Sequence, residues 1–354
     1  MYILDYFKIM KQIKDFDVLG KRVLVRCDFN VPIDDSGTIL DDFRMIKTLP
    51  TIQYLLLHDA KIILMSHLGE PGGSVVENLK LDNVKEKLEE LLKLPVEKLS
   101  DCIGPEVANK VLAMENRQII LLENLRFHKE ETDNDPVFAK ELSELGDMYI
   151  NDAFGDCHRT HASIAGIVQF LPHGAGLLLE NEITNLQKIL QYPKKPMVVL
   201  VGGKKVETKA AFIEKISTLA DTVLVGGLIK KEILSEKIHF TYPEKIVGPK
   251  DNLDASDIGD DMIAIFREKI LTAKTVVWNG PFGKFEDENF KKGTLEIAKA
   301  IVESKAFSVV GGGETIEFLR KEGMLDKFSH VSTGGGAMLE FLSGGKMPGL
   351  KALE

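Results

Sequence analysis

Four arginines and two histidines in the first half of the chain are the side chains best suited to chemistry. Arg26, Arg126 and Arg159 stand at or just past the ends of strand-like apolar runs, His67 and His158 occupy similar places, and Arg44 opens the helical pattern after the first run. In an open α/β sheet the carboxyl ends of the strands converge on one crevice, so these groups can share a site. Guanidinium forks bind phosphate or carboxylate bidentately, and four of them in an acidic chain point to a small ligand with several negative charges. Taken singly, each arginine also reads as a solvated or salt-bridged surface residue. Their common placement favours the site. Asp28 and Asn30, in the turn after Arg26, offer an acceptor and an amide to a hydroxyl or carboxylate, and serve equally well as turn formers.

Glycines carry the signal in the second half. Gly202 and Gly203, Gly311 to Gly313, and Gly334 to Gly336 form three clusters, where backbone can approach a ligand and helix N-termini can offer free N–H groups to phosphate. Such turns also arise from packing alone, but three in one half favour a nucleotide. Neither GxxxxGK[ST] nor GxGxxG occurs, which argues against a Walker-type ATPase and a standard dinucleotide enzyme. Lys205 and Lys209 lie beside the first cluster, where they can meet phosphate oxygens or remain two solvated lysines. Glu314 follows the GGG turn; it suits a Mg²⁺ ion already bound to phosphates and suits equally the positive end of a helix. Trp278, the only tryptophan, reads as core.

The elements that must position these groups follow an α/β rhythm. KRVLVRCDFN, KIILMSHLG, QIILLENLRF and DMYINDAFGD alternate with helical patterns such as Leu81, Val84, Leu88 and Leu91, and their continuous apolar character predicts strands covered on both faces. MVVLVGG, DTVLVGG, TVVWNGPFG and FSVVGGGET are strand-then-glycine units of a second α/β domain. Between the halves, Leu179, Ile183, Leu186 and Leu190 mark a connecting helix stopped by Pro193 and Pro196. A length of 354 residues suits two domains. With 45 Lys and Arg against 54 Asp and Glu the net charge is −9, which argues against a protein that coats nucleic acid or an anionic membrane. Cys27, Cys102 and Cys157 have no CxxC pairing, so neither a disulfide framework nor a zinc site is expected. The opening MYILDYFKIMKQIKDFD lacks a sustained apolar core and reads as neither secretory signal nor membrane span, and a cytoplasmic location is expected.

Taken in order, RCDFNVP, DDFRMIKTLPTI, MSHLG, LLENLRFHKEE, NDAFGDCHRTHAS, VGGKKV, VVWNGPFGKFE, VVGGGET and HVSTGGGA run the length of the chain, and the series resembles the phosphoglycerate kinases from end to end. The resemblance implies an α/β fold of two Rossmann-like, doubly wound parallel-sheet domains joined by a helix and hinge. Residues 1–176 would bind phosphoglycerate, 177–192 would form the connecting helix, 193–340 would bind nucleotide, and the tail 341–354 would return to the first domain. It implies a cytoplasmic monomer, without nucleic-acid or membrane partners, that reversibly transfers a phosphoryl group from 1,3-bisphosphoglycerate to ADP, giving 3-phosphoglycerate and ATP, with Mg²⁺ as cofactor.

Carried over by motif, Asp28 and Asn30 would hold the glycerate hydroxyl and carboxyl end, and Arg26, His67, Arg126 and Arg159 the distal phosphate. Phe29, Leu68, Gly69 and Glu70 complete the substrate-binding positions. Arg44 and Lys205 would act on the migrating phosphoryl group, with Gly312 and Gly335 beside them. Gly203, Lys209, Asn279, Gly313, Thr315 and Gly336 would cradle the nucleotide, Glu286 would hold its ribose, and Glu314 the metal. The chain departs from the family's pattern in several places. SHLGRP becomes SHLGEP, so Glu70 replaces an arginine; Lys204 stands where alanine is usual, and Glu207 and Thr208 where Ser-Asp is usual. Glu314 is a longer acid than the usual aspartate, Leu228 replaces a glycine, and the stretch from Gly227 to Asp257 is shortened, which would open the adenine pocket. Two alternatives therefore stand beside an active kinase: a weakened member that binds nucleotide or a partner, and a kinase for a different small carboxylate. Glu70 is expected to turn toward solvent or a neighbouring basic side chain, away from the phosphate.

Overall fold

In the computed structural model, which describes residues 10–204 and 206–354, the continuous apolar runs become strands whose side chains are buried on both faces. The first sheet contains β1 (Arg22–Arg26), β2 (Lys61–Met65), β3 (Glu97–Lys98), β4 (Ile119–Leu121), β5 (Met148–Asn151) and β6 (His173–Ala175) in the order β3-β4-β2-β1-β5-β6. The second contains β7 (Met197–Val201), β8 (Thr222–Val225), β9 (Ile246–Val247), β10 (Thr275–Asn279), β11 (Phe307–Gly311) and β12 (His330–Val331) in the order β12-β11-β10-β7-β8-β9. Pairing within both sheets is parallel. Parallel neighbours require long crossovers, which is why helices alternate with strands along the chain.

Two compact units result, one running to Ile183 and joined by Met347–Glu354, the other Thr184–Lys346. In the second sheet the chain steps outward from β7 to β8 and β9, then returns to β10 on the other side and continues outward. Its topological switch point therefore lies between β7 and β10, where a ligand crevice is expected at the carboxyl ends. In the first sheet β1 has β2 on one side and β5 on the other, which puts the equivalent point after Arg26 and Asn151. Trp278 is fully buried core, and its indole N–H donates to the Gly280 carbonyl at 2.8 Å. The three cysteines are free and buried.

The helix Leu177–Gln191 buries Leu179, Ile183, Leu186 and Leu190, the periodic positions of its sequence. Its first turn is capped from the end of β5: Asp152 Oδ1 accepts the Leu178 and Leu179 N–H groups at 2.9 and 3.2 Å. The approach is so close that a Cβ on Gly176 would lie 2.2 Å from that oxygen. Asp152 is completely buried, and burial pushes its carboxyl up from 3.8 to about 7. No helix among the described residues is long and apolar enough to cross a membrane.

Asp152→Asn keeps the capping oxygen and removes the charge. Well below pH 3.8 folded and unfolded chains both carry the proton, so burial exacts no ionic penalty. Above about pH 7 the fold must bury a carboxylate that the unfolded chain solvates. The variant is expected to match the parent at about pH 3 and to be more stable by about 1–4 kcal/mol near pH 8, the upper figure following from about 1.4 kcal/mol per pKa unit. Urea unfolding midpoints at the two pH values check this.

Candidate functional site

At the carboxyl ends of the first sheet the arginines divide into two kinds. Arg26, the last residue of β1, is fully buried and spends its guanidinium on the protein itself. Nε donates to Ser163 Oγ at 2.9 Å, Nη1 to the Cys27 carbonyl, and Nη2 to Asp156 Oδ2 at 3.0 Å. Ser163 Oγ in turn donates to the buried Glu131 carboxylate at 2.6 Å. Burial works against the Asp156 charge, yet the guanidiniums of Arg26, Arg126 and Arg159 hold its carboxyl below the usual range. Burial, with those same arginines, keeps the pKa of His67 well below its ordinary value. A neutral ring whose Nδ1 lies 3.1 Å from Arg26 Nη2 accepts there, which leaves Nε2–H as its outward donor.

Arg126 and Arg159 are the other kind. Arg126 lies in the turn after β4 with only 2% of its surface exposed. Nη1 donates to the Gly69 carbonyl at 2.9 Å and meets Glu70 Oε1 at 2.6 Å. Nε and Nη2, both buried, have no hydrogen-bond partner among the described residues. Arg159 keeps 38% of its side chain exposed, and its Nε stands 3.6 Å from Asp156 Oδ1 without a hydrogen bond. A buried donor without an acceptor is costly, so the free edge of Arg126 is a structural reason to expect an anion.

Arg44 reaches Asp28 Oδ2 at 3.0 Å and the Asn30 carbonyl at 3.0 Å. Burial raises the pKa of Asp28, and its Oδ1 accepts the Asn30 N–H at 3.2 Å, so the turn role is present. Asn30 Oδ1 accepts the Gly69 N–H at 2.9 Å. The Phe29 ring is core, with its N–H on Ser66 Oγ, and Leu68 is buried with its carbonyl on Asn124. Asp156, Glu131, Ser163 and His161 were not singled out from sequence. His161, within the HRTHAS motif, is buried beside Arg126, and burial lowers its pKa to about 4; its spacing from Arg159 was the available signal.

In the second unit a cleft of roughly 770 Å³ opens at the switch point, lined by Gly203 and Lys204 after β7, Gly226–Leu228 after β8, Pro281–Glu286 after β10, and Glu314. Its floor depends on glycine: a Cβ on Gly202 would lie 2.2 Å from the Pro281 carbonyl oxygen. Asn279 and Thr315 tie the turns together, Asn279 Nδ2 donating to the Gly311 carbonyl at 3.1 Å and Gly280 N–H to Thr315 Oγ1 at 3.0 Å. Gly313 and Gly336 open the helices Gly313–Lys321 and Gly336–Ser343, and the space around Gly313, Gly335 and Gly336 is free. Gly312 precedes the first of these helices at its N-cap.

Lys209 is largely buried, its Nζ donating to the Gly202 and Lys204 carbonyls at 2.6 and 3.0 Å, and burial lowers its pKa. A Cβ on Gly203 would lie 3.0 Å from that Nζ and 3.8 Å from Glu314 Oε2, so ammonium and carboxylate flank one turn. Lys205 lies outside the described residues. The shortened stretch does not leave the cleft bare on that side: Pro249, Asp251, Asn252 and residues 254–262, rich in aspartate, line it. The sequence reading missed this wall because nothing in the loop's composition distinguishes it from a surface turn.

The sequence model of the phosphoglycerate kinase family matches residues 13–239 and 235–345. The chain is 44% identical to the phosphoglycerate kinase of Dictyoglomus turgidum, over 98% of this chain and 99% of that protein. It is 41% identical to that of Pelotomaculum thermopropionicum, over 97% and 98%. Its fold is similar to the crystal structure of phosphoglycerate kinase from Pyrococcus horikoshii, with a TM-score of 0.88 at 32% identity, covering 97% of this chain and 98% of that one. The alignment to the Dictyoglomus protein spans 393 positions against the 354 residues here, so that relative carries stretches this chain lacks.

Arg26 and Arg159 should fail differently. Arg26→Met strands the buried Asp156 and Glu131 carboxylates and is expected to cost at least about 3 kcal/mol of stability. Arg159→Met, at a partly exposed position, should cost less than about 1 kcal/mol. Urea unfolding of the two variants beside the parent checks the division between scaffold and free arginine.

Proposed function

The chain belongs to the phosphoglycerate kinase family and is a glycolytic phosphotransferase, and from that premise we propose how its own residues share the reaction. The family uses ATP and ADP, and the transfer runs between 1,3-bisphosphoglycerate and ADP. In the ATP-consuming direction a carboxylate oxygen of 3-phosphoglycerate attacks the γ-phosphorus in line. The new O–P bond forms as the bond to the β-phosphate oxygen breaks, and ADP leaves with the electron pair. A carboxylate is already a nucleophile, so no general base is required. Catalysis then rests on positioning and on compensating charge over the moving phosphoryl group.

The observation that carries the substrate assignment is the free edge of Arg126. Its Nε–H and Nη2–H, buried and unpaired, form one fork for two oxygens of the distal phosphate, with Arg159 and His67 Nε2–H beside it. Arg26 positions them through Asp156 and does not itself touch the ligand. Asn30 and Asp28 take the glycerate end, and Arg44, held at the rim by Asp28, swings to the migrating group together with Lys205. On the nucleotide side, Lys209 and the N–H groups at Gly203, Gly312, Gly313, Gly335 and Gly336 cradle phosphates, Asn279 and Thr315 brace the turns, and Glu286 holds the ribose. The placement of Glu314 Oε2 beside the Gly203 turn and Lys209 suits a Mg²⁺ ion carried in on the nucleotide. When bound, that ion neutralises charge on the phosphate oxygens. We further propose that the protein works as a cytoplasmic monomer, with domains following the boundaries given by its motifs.

A kinase for a different small carboxylate is the second reading, and one observation favours it: the Glu70 carboxylate lies 2.6 Å from Arg126 Nη1. A coupled assay with MgATP separates the two readings. Turnover with 3-phosphoglycerate should exceed that with glycerate by at least about a hundredfold, and Lys205→Ala should lower kcat at least about tenfold with little change in KM. Parent turnover equal to that of Lys205→Ala would sink the kinase assignment. Three of the five aspartates in the wall are already engaged, Asp254 by Lys231, Asp257 by the Ile258 and Gly293 N–H groups and Asp260 by Lys292, so the wall keeps few acceptors with which to read a base edge. GTP is therefore expected to support turnover within about tenfold of ATP, a discrimination below about 1.4 kcal/mol, as measured by kcat/KM for each nucleotide.

A further inference from the structure

The residue at the distal-anion site that fits its task least is Glu70. Its side chain is 71% exposed, yet its carboxylate reaches back 2.6 Å to Nη1 of a guanidinium that is almost wholly buried. Glu70 pairs with a basic neighbour, but that neighbour belongs to the anion site from which the carboxylate was expected to turn away. The neighbour it selects is the arginine with the free fork, which the sequence could not specify.

The contact divides Arg126 by edge. Nη1 is occupied by Glu70 and the Gly69 carbonyl, while Nε and Nη2 face no acceptor among the described residues. A phosphate can therefore dock without displacing Glu70, but the guanidinium then lies between two anions. The charge that would otherwise serve the ligand is shared, and the two anions repel each other across it.

We infer that Glu70 sets the affinity of the distal-anion subsite, acting as a resident counter-ion that makes the pocket hold a phosphorylated carboxylate loosely and release it quickly. The inference rests on the reading of Arg126 as the phosphate fork. A competing role, in which Glu70 positions Arg126, is the weaker one: the Gly69 carbonyl also anchors Nη1 at 2.9 Å, so one hydrogen bond that holds its orientation survives without the carboxylate. Solvent exposure screens Glu70, which limits its effect to about five- to tenfold in affinity.

Calorimetric titration of the full chain with 3-phosphoglycerate and with glycerate, for the parent, Glu70→Gln and Arg126→Met, tests this. Glu70→Gln should bind 3-phosphoglycerate about five- to tenfold more tightly at low salt, with a smaller gain at high salt and no gain for glycerate. In the coupled assay KM for 3-phosphoglycerate should fall by a similar factor and kcat should not rise, because the gain is in uniform binding. If Glu70→Gln binds 3-phosphoglycerate no better, or worse, while Arg126→Met still weakens it, Glu70 is inert or an anchor and the inference is overturned. If Arg126→Met leaves the affinity unchanged, the phosphate fork itself is wrong and the inference falls with it. Glu70 lies on the surface, so its variant should fold, and a thermal melt confirms that before titration.

Discussion

A guanidinium with no access to water has to find an acceptor for each of its nitrogens inside the protein, and Arg26 meets that demand by drawing together β1, the turn after β2, and the segments that carry Asp156 and Ser163. Its partners are as buried as it is, so none can leave without stranding a charge. Ion pairs of this kind add little net stability over an apolar replacement, but they are costly to break. Their value here is placement. Asp156, fixed by Arg26, is the shared neighbour of His67 and Arg159, and the free donors of the site are arranged around it.

On the proposed assignment, the two units meet the problem of binding anions in opposite ways. The first uses side chains and must therefore organise like charges that repel, which explains the three buried carboxylates, Asp28, Glu131 and Asp156, among its four arginines. The second uses backbone N–H groups at glycine turns and helix starts, where partial charges come fixed in direction and need no counter-ion. Lys209, a largely buried cation at the turn, is tied to carbonyls of the strand-end loop and so stiffens that loop as well as charging it. Both solutions sit where parallel strands diverge, because that is where a sheet leaves open the carboxyl ends of two neighbouring strands at once.

Most of this was legible in the sequence for definite reasons. The long apolar runs predicted β1, β2, β4, β5, β7, β8, β10 and β11, because strands covered on both faces leave a continuous signal. Two-residue strands such as β9 and β12 have no period to detect, and they exist through pairing with β8 and β11. Arginines at strand ends raised the expectation of an anion site, yet spacing could not distinguish Arg26, consumed internally, from Arg126, which keeps an open edge. Both are strand-end arginines, and the difference is made by Asp156 and Ser163, more than a hundred residues away from Arg26. Asp152, Glu131 and Asp156 were invisible for the same reason, since an acid is read as solvated until the fold shows what covers it. The aspartate-rich wall of the second cleft is a further case: a surface loop by composition, a lining by placement.

Charge balance explains why one rim residue can matter so much in a chain whose net charge is −9. Arg44 is matched by Asp28 and Arg26 by Asp156, while Glu131, on the far side of Ser163, adds a further negative field at Arg26. The positive charge left for a ligand is essentially that of Arg126 and Arg159, and burial already works against ionisation of Arg126, whose pKa it lowers. A carboxylate at the rim both supports that ionisation and consumes part of the field it creates. With so few uncompensated cations, adding or removing one negative charge beside Arg126 changes a large share of what a phosphate meets on entry, whereas the same change on a surface with many free lysines would be lost in screening.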